Sequence, residues 1–373
     1  MYLLPVVAAG GKFSGCFLSG LLLHSMPVEL SIEDFLLRRQ DLCLLDVRTP
    51  AEYEQGHIPG AVNFPLFSNE ERAEVGTLYK QQSPQAALKR GLELVGPKLA
   101  GFVEKAGRLA ADKPLALHCW RGGKRSGSMA WLLEMAGMEV FVIRGGYKAY
   151  RQKVMTALEK PVWPFVVLSG KTGSGKTLIL QELKALGAQV VDLEGLACHR
   201  GSAFGALGMP PQPTTEHFAN LLYEELSKMD PSRPVWLENE SRSIGRVFLP
   251  DGFWRAMLSS LKCSIERPLE WRIRQLLRDY AGFSKEELQA AFLKIAKRLG
   301  GLRLKEALQA IEEGDLELAA RLALAYYDKA YGKGKKPAEV QEVPNLHFAF
   351  PRESLSDIAR TLLKVEDRFL REA

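Results

Sequence analysis

What this chain lacks narrows what it can be. Its five cysteines (Cys16, Cys43, Cys119, Cys198 and Cys263) are odd in number, widely spaced and without a Cys-x-x-Cys pair. That argues against a zinc site or a disulfide framework and for a reducing compartment. Long apolar runs are missing too. The Phe17-Leu-Ser-Gly-Leu-Leu-Leu stretch falls far short of the ~20 residues that span a bilayer. Lys12 is a weak positive start for a signal peptide, so a cytoplasmic protein with no membrane partner is expected. Nor does one charge dominate: 50 basic against 44 acidic side chains leave +6, which permits an anionic partner without demanding one.

What is present divides in two. At 373 residues the chain exceeds the size at which one core stops growing. Domain-like sequence starts at Met26, and Ser31 reads as a helix N-cap ahead of Glu33 and Asp34. Residues 1–25 read as a poorly ordered extension. Pro161 and Pro164 mark a boundary. The expectation is an α/β domain over 26–158, a second α/β domain over 160–268, and a helical, basic region over 269–373 that completes the second.

In the first domain the chemistry centres on Cys119. Leu115 to Leu117 read as a buried strand, and 126–135 have helical spacing, so Cys119-Trp-Arg121-Gly-Gly-Lys124-Arg125 joins a strand end to a helix N-terminus. Free loop N–H groups, the helix dipole and three cations there all favour a thiolate, which makes Cys119 the candidate nucleophile, with Arg121 and Arg125 beside it. Asp46 and Arg48 read as a buried ion pair, and His57 as structural. The run Gly76-Thr-Leu-Tyr79-Lys80-Gln fits either a contact with RNA or phosphate, or a surface turn between helices.

The second domain opens on Phe165-Val-Val-Leu168 feeding Gly170-Lys-Thr-Gly173-Ser174-Gly175-Lys176-Thr177, a G-x-x-x-x-G-K-[ST] phosphate loop between a strand and a helix. Its N–H groups would wrap a diphosphate, Lys176 would neutralise it, and Thr177 offers a ligand for Mg²⁺. Asp192, His199, Arg200 and Ser202 lie in a glycine-rich strand exit suited to a ligand crevice, and Glu238 ends a third strand as a Walker-B-like acid. From Leu269 on the pattern is helical. Arg272, Arg274, Lys297 and Arg298 are candidate contacts for an RNA backbone.

Three signatures in order, Asp46-Val-Arg48-Thr-Pro-Ala-Glu52 through Gly-His57-Ile-Pro-Gly60, the Cys119 loop, and Arg144-Gly-Gly-Tyr147, resemble a rhodanese domain. In that fold the loop cysteine carries a persulfide or its selenium counterpart. The Cys-x5-Arg loop here is one residue longer than in many single-domain rhodaneses and matches the loop of protein tyrosine phosphatases and Cdc25-type enzymes, so the loop alone leaves a phosphatase open. The phosphate loop likewise leaves open an ATP-dependent tRNA sulfurtransferase or kinase. With the Gly76 run and Val191-Asp-Leu-Glu-Gly-Leu-Ala-x-His199-Arg200-Gly-Ser202, the two-domain order is similar to the bacterial tRNA 2-selenouridine synthases. The resemblance implies replacement of sulfur by selenium in 2-thiouridine at wobble position 34 of tRNAs for Lys, Glu and Gln. It implies S-geranylation from geranyl diphosphate and then selenation from selenophosphate, with no tightly bound cofactor and with an enzyme that supplies selenophosphate as a possible partner.

Overall fold

The computed structural model describes residues 27–330 and 344–372, so Met26 and the 1–25 extension lie outside the described residues. The described residues of Met1–Tyr53 and Gly60–Tyr150 form one compact unit, and those of Glu54–Pro59 and Arg151–Ala373 form another.

In the first unit β1 (Val28–Leu30) leads into α1 (Ile32–Arg38), whose N-cap Ser31 accepts from the Asp34 N–H. There follow β2 (Cys43–Asp46), α2 (Pro50–Gln55), β3 (Val62–Asn63), α3 (Asn69–Gln81), α4 (Pro84–Val95) and α5 (Leu99–Ala110). The unit continues with β4 (Leu115–His118), α6 (Lys124–Met135), β5 (Val140–Ile143) and the start of α7 (Gly146–Glu159). The strands order as β1-β5-β4-β2-β3, all parallel. β4 and β5 are wholly apolar or buried along their length because helices cover both sheet faces, as a parallel sheet requires. Leu45, Phe64, Leu117, Met129 and Leu133 meet in its core.

The Gly76 run is not a turn between helices. Ser68 and Glu71 close a capping box that starts α3, and the helix runs through Gly76 to Gln81, leaving Tyr79 61% exposed and Lys80 on the surface.

The second unit is built on β6 (Phe165–Gly170), followed by α8 (Lys176–Ala185), β7 (Gln189–Val190), α9 (Leu193–Leu196) and α10 (Thr215–Leu226). Next come β8 (Val235–Glu238), a short antiparallel pair β9 (Ser243–Ile244) and β10 (Val247–Phe248), α11 (Asp251–Leu258) and β11 (Leu261–Glu266). Then α12 (Leu269–Tyr280), α13 (Lys285–Leu299), α14 (Gly301–Glu313) and α15 (Leu316–Ala330) form a helical block with its own core of Phe204, Leu288, Phe292 and Ile311. The region after Leu269 is not helical throughout. β12 (Asn345–Ala349) joins the parallel sheet, ordered β12-β11-β6-β8-β7, before α16 (Leu355–Glu372) packs with α8 over it. β12 escapes a period-2 reading because four of its five residues are exposed at the sheet edge, so no apolar alternation marks it. No helix among the described residues is long and apolar enough to cross a membrane.

Asp46 and Arg48 are the buried pair the sequence suggests, 0% and 1% exposed and joined at 2.6 Å. His57 is held through its backbone carbonyl, which accepts from the Asn220 amide at 2.8 Å. Removing Asp46 while Arg48 stays buried should cost about 3–5 kcal/mol. Asp46→Ala should therefore lower the denaturant midpoint of the first unit in the full chain. A midpoint unchanged from the parent would mean that Arg48 finds another partner.

Candidate functional sites

Cys119 leaves the carboxyl end of β4, and the Arg121–Gly123 turn folds back over it before α6 begins. Its Sγ, in a residue 4% exposed, accepts hydrogen bonds from the Gly123 N–H and the Ser126 hydroxyl, each at 3.3 Å. Burial pushes the thiol pKa up. The Ser126 hydroxyl and the N–H groups of Ser126, Arg121 and Gly123 outweigh that and hold it below its ordinary value. The thiolate expected from the sequence is therefore favoured, though chiefly by hydrogen bonds rather than by the three cations. Arg121 and Lys124 are exposed, while Arg125 spends its charge on Glu52 through contacts of 2.6 and 3.1 Å. Glu52 was not picked out as a site residue, although it lies inside the first signature. Its salt bridge fixes where the Arg125 guanidinium can sit.

Alkylation by iodoacetamide, followed by peptide mapping, reads this directly. A lowered pKa means thiolate is present at lower pH, so the Cys119 rate profile should rise below that of a free thiol, and Ser126→Ala should move it upward. Cys263, pushed up to about 12 by burial alone, should stay unmodified in the folded chain. Overlapping profiles for parent and Ser126→Ala would remove the hydroxyl from the account.

In the second unit the loop from Gly170 to Gly175 joins β6 to α8, with Gly173 and Gly175 at φ of 77° and 82°. Lys176 Nζ donates to the Gly170 carbonyl at 3.1 Å, and the buried Ser174 hydroxyl has no partner. Thr177 donates to Glu238, which is 1% exposed with its Oε1 unpartnered. Glu194 and Glu240 bring carboxylate oxygens within 4.8 Å of those of Glu238. Burial, and then the neighbouring glutamates, push Glu194 up to about 9 and Glu240 up to about 7, and at Glu238 burial outweighs the lowering by Lys176 and the Thr177 hydroxyl and raises it too. Glu194 and Glu240 were passed over in the sequence. The signal was there in Glu238-Asn-Glu240, where alternate residues of an extended segment share a side.

Asp192 caps α9, accepting from the Gly195 N–H at 2.7 Å, and lies close enough to Glu194 and Glu238 for its charge to act on both carboxyls. Arg200 lies over the Tyr280 ring at 5.6 Å, and His199 is lowered by burial and by Lys294. Ser202 lines a slot of about 60 Å³ together with Thr172 of the phosphate loop, Phe204, Tyr280, Phe292 and Tyr327. That slot is almost wholly apolar and has room for about four to six waters at ~10–15 Å³ each.

Arg272 is a correction. It is 3% exposed and faces away from solvent: its Nε donates to the Thr172 carbonyl at 2.8 Å and its Nη atoms to Asp328 at 2.9 and 2.6 Å. Two positions along a helix point to nearly opposite sides, so Arg272 cannot share the exposed face of Arg274. It braces the phosphate loop instead. Arg274, Lys297 and Arg298 are exposed.

Comparison with known proteins agrees with this two-part construction. Residues 163–343 match the family model of the tRNA 2-selenouridine synthase AAA domain, and residues 31–153 match that of the rhodanese-like domain. A tRNA 2-selenouridine synthase of Bdellovibrio bacteriovorus is 38% identical over 348 residues, covering 79% of this chain and 89% of that protein. Those of Nitrosomonas europaea and Nitrosomonas eutropha are 40% and 34% identical, covering 64% and 78% of this chain and 64% and 88% of theirs. With a relative matched over nearly its whole length and both units matched in order, the chain belongs to the tRNA 2-selenouridine synthase family.

Proposed function

We propose that this enzyme modifies tRNA by replacing the sulfur of 2-thiouridine at wobble position 34 with selenium, and that its two loops divide the work. The observation that carries the division is the apolar slot at Thr172, on the edge of the phosphate loop. A diphosphate held by the loop N–H groups and Lys176 would have its organic tail beside a narrow hydrocarbon-lined space. That space suits a slender isoprenoid such as geranyl better than a purine, and so favours geranyl diphosphate over an ATP-dependent kinase or sulfurtransferase reaction.

In the first step the C2 sulfur attacks C1 of the allylic donor. An S–C bond forms, the C–O bond breaks, diphosphate leaves with the electron pair, and the base loses its N3 proton. Charge builds on the leaving diphosphate, where Lys176 and the loop N–H groups after Gly170 would meet it, apart from that of Ser174, which donates to the Lys171 carbonyl. The donor set also fits a divalent cation, because Glu238 keeps a buried oxygen without a partner beside the Thr177 hydroxyl. Thr177 and Glu238, with Glu194 and Glu240, would hold Mg²⁺, which when bound neutralises diphosphate oxygens.

Selenium enters as selenophosphate, an anion suited to the Cys119 loop. Thiolate attack on phosphorus forms an S–P bond and breaks P–Se, and selenide leaves with the electron pair. Selenide then adds at C2 and expels the geranyl thiolate, while water returns Cys119 and phosphate. Attack on selenium would instead leave phosphorus reduced, so attack on phosphorus is the route that balances. It also gives the phosphatase-length loop a use within selenium transfer.

The test is to incubate the chain with tRNA, geranyl diphosphate and selenophosphate and to digest the RNA for mass spectrometry. Cys119→Ser should accumulate the geranylated nucleoside and make no selenouridine. Lys176→Ala should slow geranylation at least ~100-fold, the scale of losing one preorganised charge contact, and pre-geranylated tRNA should restore selenation. If the Lys176 variant stays inactive on pre-geranylated tRNA, the loops do not divide the work.

Binding of tRNA should weaken with salt, each phosphate contact adding a slope of about −0.7 to −0.9. Lys297→Ala with Arg298→Ala should flatten that slope in filter binding, and so should Arg274→Ala. Arg272→Ala should instead weaken diphosphate binding and leave the slope alone. Unchanged slopes in the surface variants would move the tRNA elsewhere, with Tyr79 and Lys80 of α3 the next exposed candidates.

A further inference from the structure

The phosphate loop borders a second, larger space. We propose that the cavity on its Ser169–Lys171 side seats the acceptor base, a pyrimidine nucleotide swung out of a single-stranded RNA loop. The proposal rests on the reading above and deepens it, since nothing so far has given the nucleoside a place.

The cavity has a volume of about 820 Å³, within the ~300–1,000 Å³ of small-molecule sites. Lys171 lines it from the phosphate loop, Asn239 and Glu240 from the exit of β8, Trp254 from α11, and Arg267 from the end of β11. Two of these residues hold shielded donors with no partner in the protein, the Nε of Arg267 and the Nε1 of Trp254. Arg267 cannot turn its Nε to water. It is 5% exposed, its Nη1 donates to the carbonyls of Phe350 and Glu353 at 3.2 and 2.8 Å, and its guanidinium stacks 4.0 Å from the Trp271 ring. A buried donor left unmade costs about 1–3 kcal/mol, a cost that an accepting ligand removes.

A ligand there lies among the side chains of Arg267, Trp254, Asn239 and Glu240, so one that offers both acceptors and a donor is favoured. A uridine-type base offers both, with its ring carbonyl accepting and its N3–H donating. Position argues the same way. The cavity touches the loop at Ser169, Gly170 and Lys171 and the apolar slot touches it at Thr172, so acceptor and donor would approach one diphosphate from adjoining residues. A base in a single-stranded loop can be turned out without breaking a pair, and recognition of RNA commonly works on such splayed bases.

The test uses the full chain and an anticodon stem–loop RNA carrying 4-thiouridine at the wobble position as a photo-crosslinker, with the crosslinked peptides mapped by mass spectrometry. Crosslinks to the peptides holding Asn239–Ser241 or Trp254 are expected. In parallel, Trp254→Phe, which keeps the ring and removes the N–H, should raise the KM for a 2-thiouridine stem–loop up to about tenfold, the scale of one hydrogen bond. The affinity for geranyl diphosphate should be unchanged. Crosslinks that map only elsewhere, or that saturating ATP abolishes, would overturn the proposal. The crosslink reads seating whether or not prenyl transfer occurs. Absence of geranylation by the parent chain would therefore sink the functional reading alone, and misplaced crosslinks with geranylation intact would sink the cavity alone.

Discussion

The first unit depends on one contact between backbones. The carbonyls of Cys119 and Trp120 accept from the N–H groups of Tyr147 and Lys148, each at 2.9 Å, so the first turn of α7 lies flat against the Cys119 loop. No side chain fits between them: a Cβ on Gly146, which has a φ of 57°, would stand 2.3 Å from the Cys119 carbonyl and 2.6 Å from the Gly122 nitrogen. That contact holds the Arg121–Gly123 turn in the shape that turns its N–H groups on the sulfur. Beneath it Tyr147 lies 3.9 Å from the Arg48 guanidinium, and Arg48 is held by Asp46. The three sequence signatures, far apart in the chain, thus form a single stack with Cys119 at its top.

The second unit meets the same physical need with different parts. Both loops follow the carboxyl end of a central strand in a parallel sheet, where open N–H groups and a helix N-terminus favour an anion. In one case the loop closes on the protein's own sulfur, which accepts from Gly123 and Ser126. In the other, Ser174 and Glu238 keep polar atoms that no protein group satisfies. The first loop is organised around a resident sulfur, and the second leaves polar groups open.

What could be read from the sequence was local. Strands β4, β6 and β8, both anion loops and the Ser31 cap depend on neighbours in the chain, and apolar runs and glycine spacing reveal them. What escaped depends on partners far apart. Arg272 looks like any cation on a basic helix until Asp328, 56 residues on, turns it inward. β12 carries no periodic pattern because it lies on an edge. Gly76 suggests a flexible loop, yet the Ser68–Glu71 capping box and the residues around it keep α3 helical through it. The trio of Glu194, Glu238 and Glu240 needs two strand exits to converge, which spacing along the chain does not disclose.

Arg272 also sets limits on how the enzyme can change. One guanidinium grips the carbonyl of Thr172 and the carboxylate of Asp328, and Asp328 sits on α15 next to Tyr327, which forms part of the slot wall. Any substitution that shifts α15, and with it the slot wall, pulls on the phosphate loop through that bridge. The width of the slot and the shape of the phosphate loop are therefore coupled traits, and lineages that drift in one should carry compensating changes in the other.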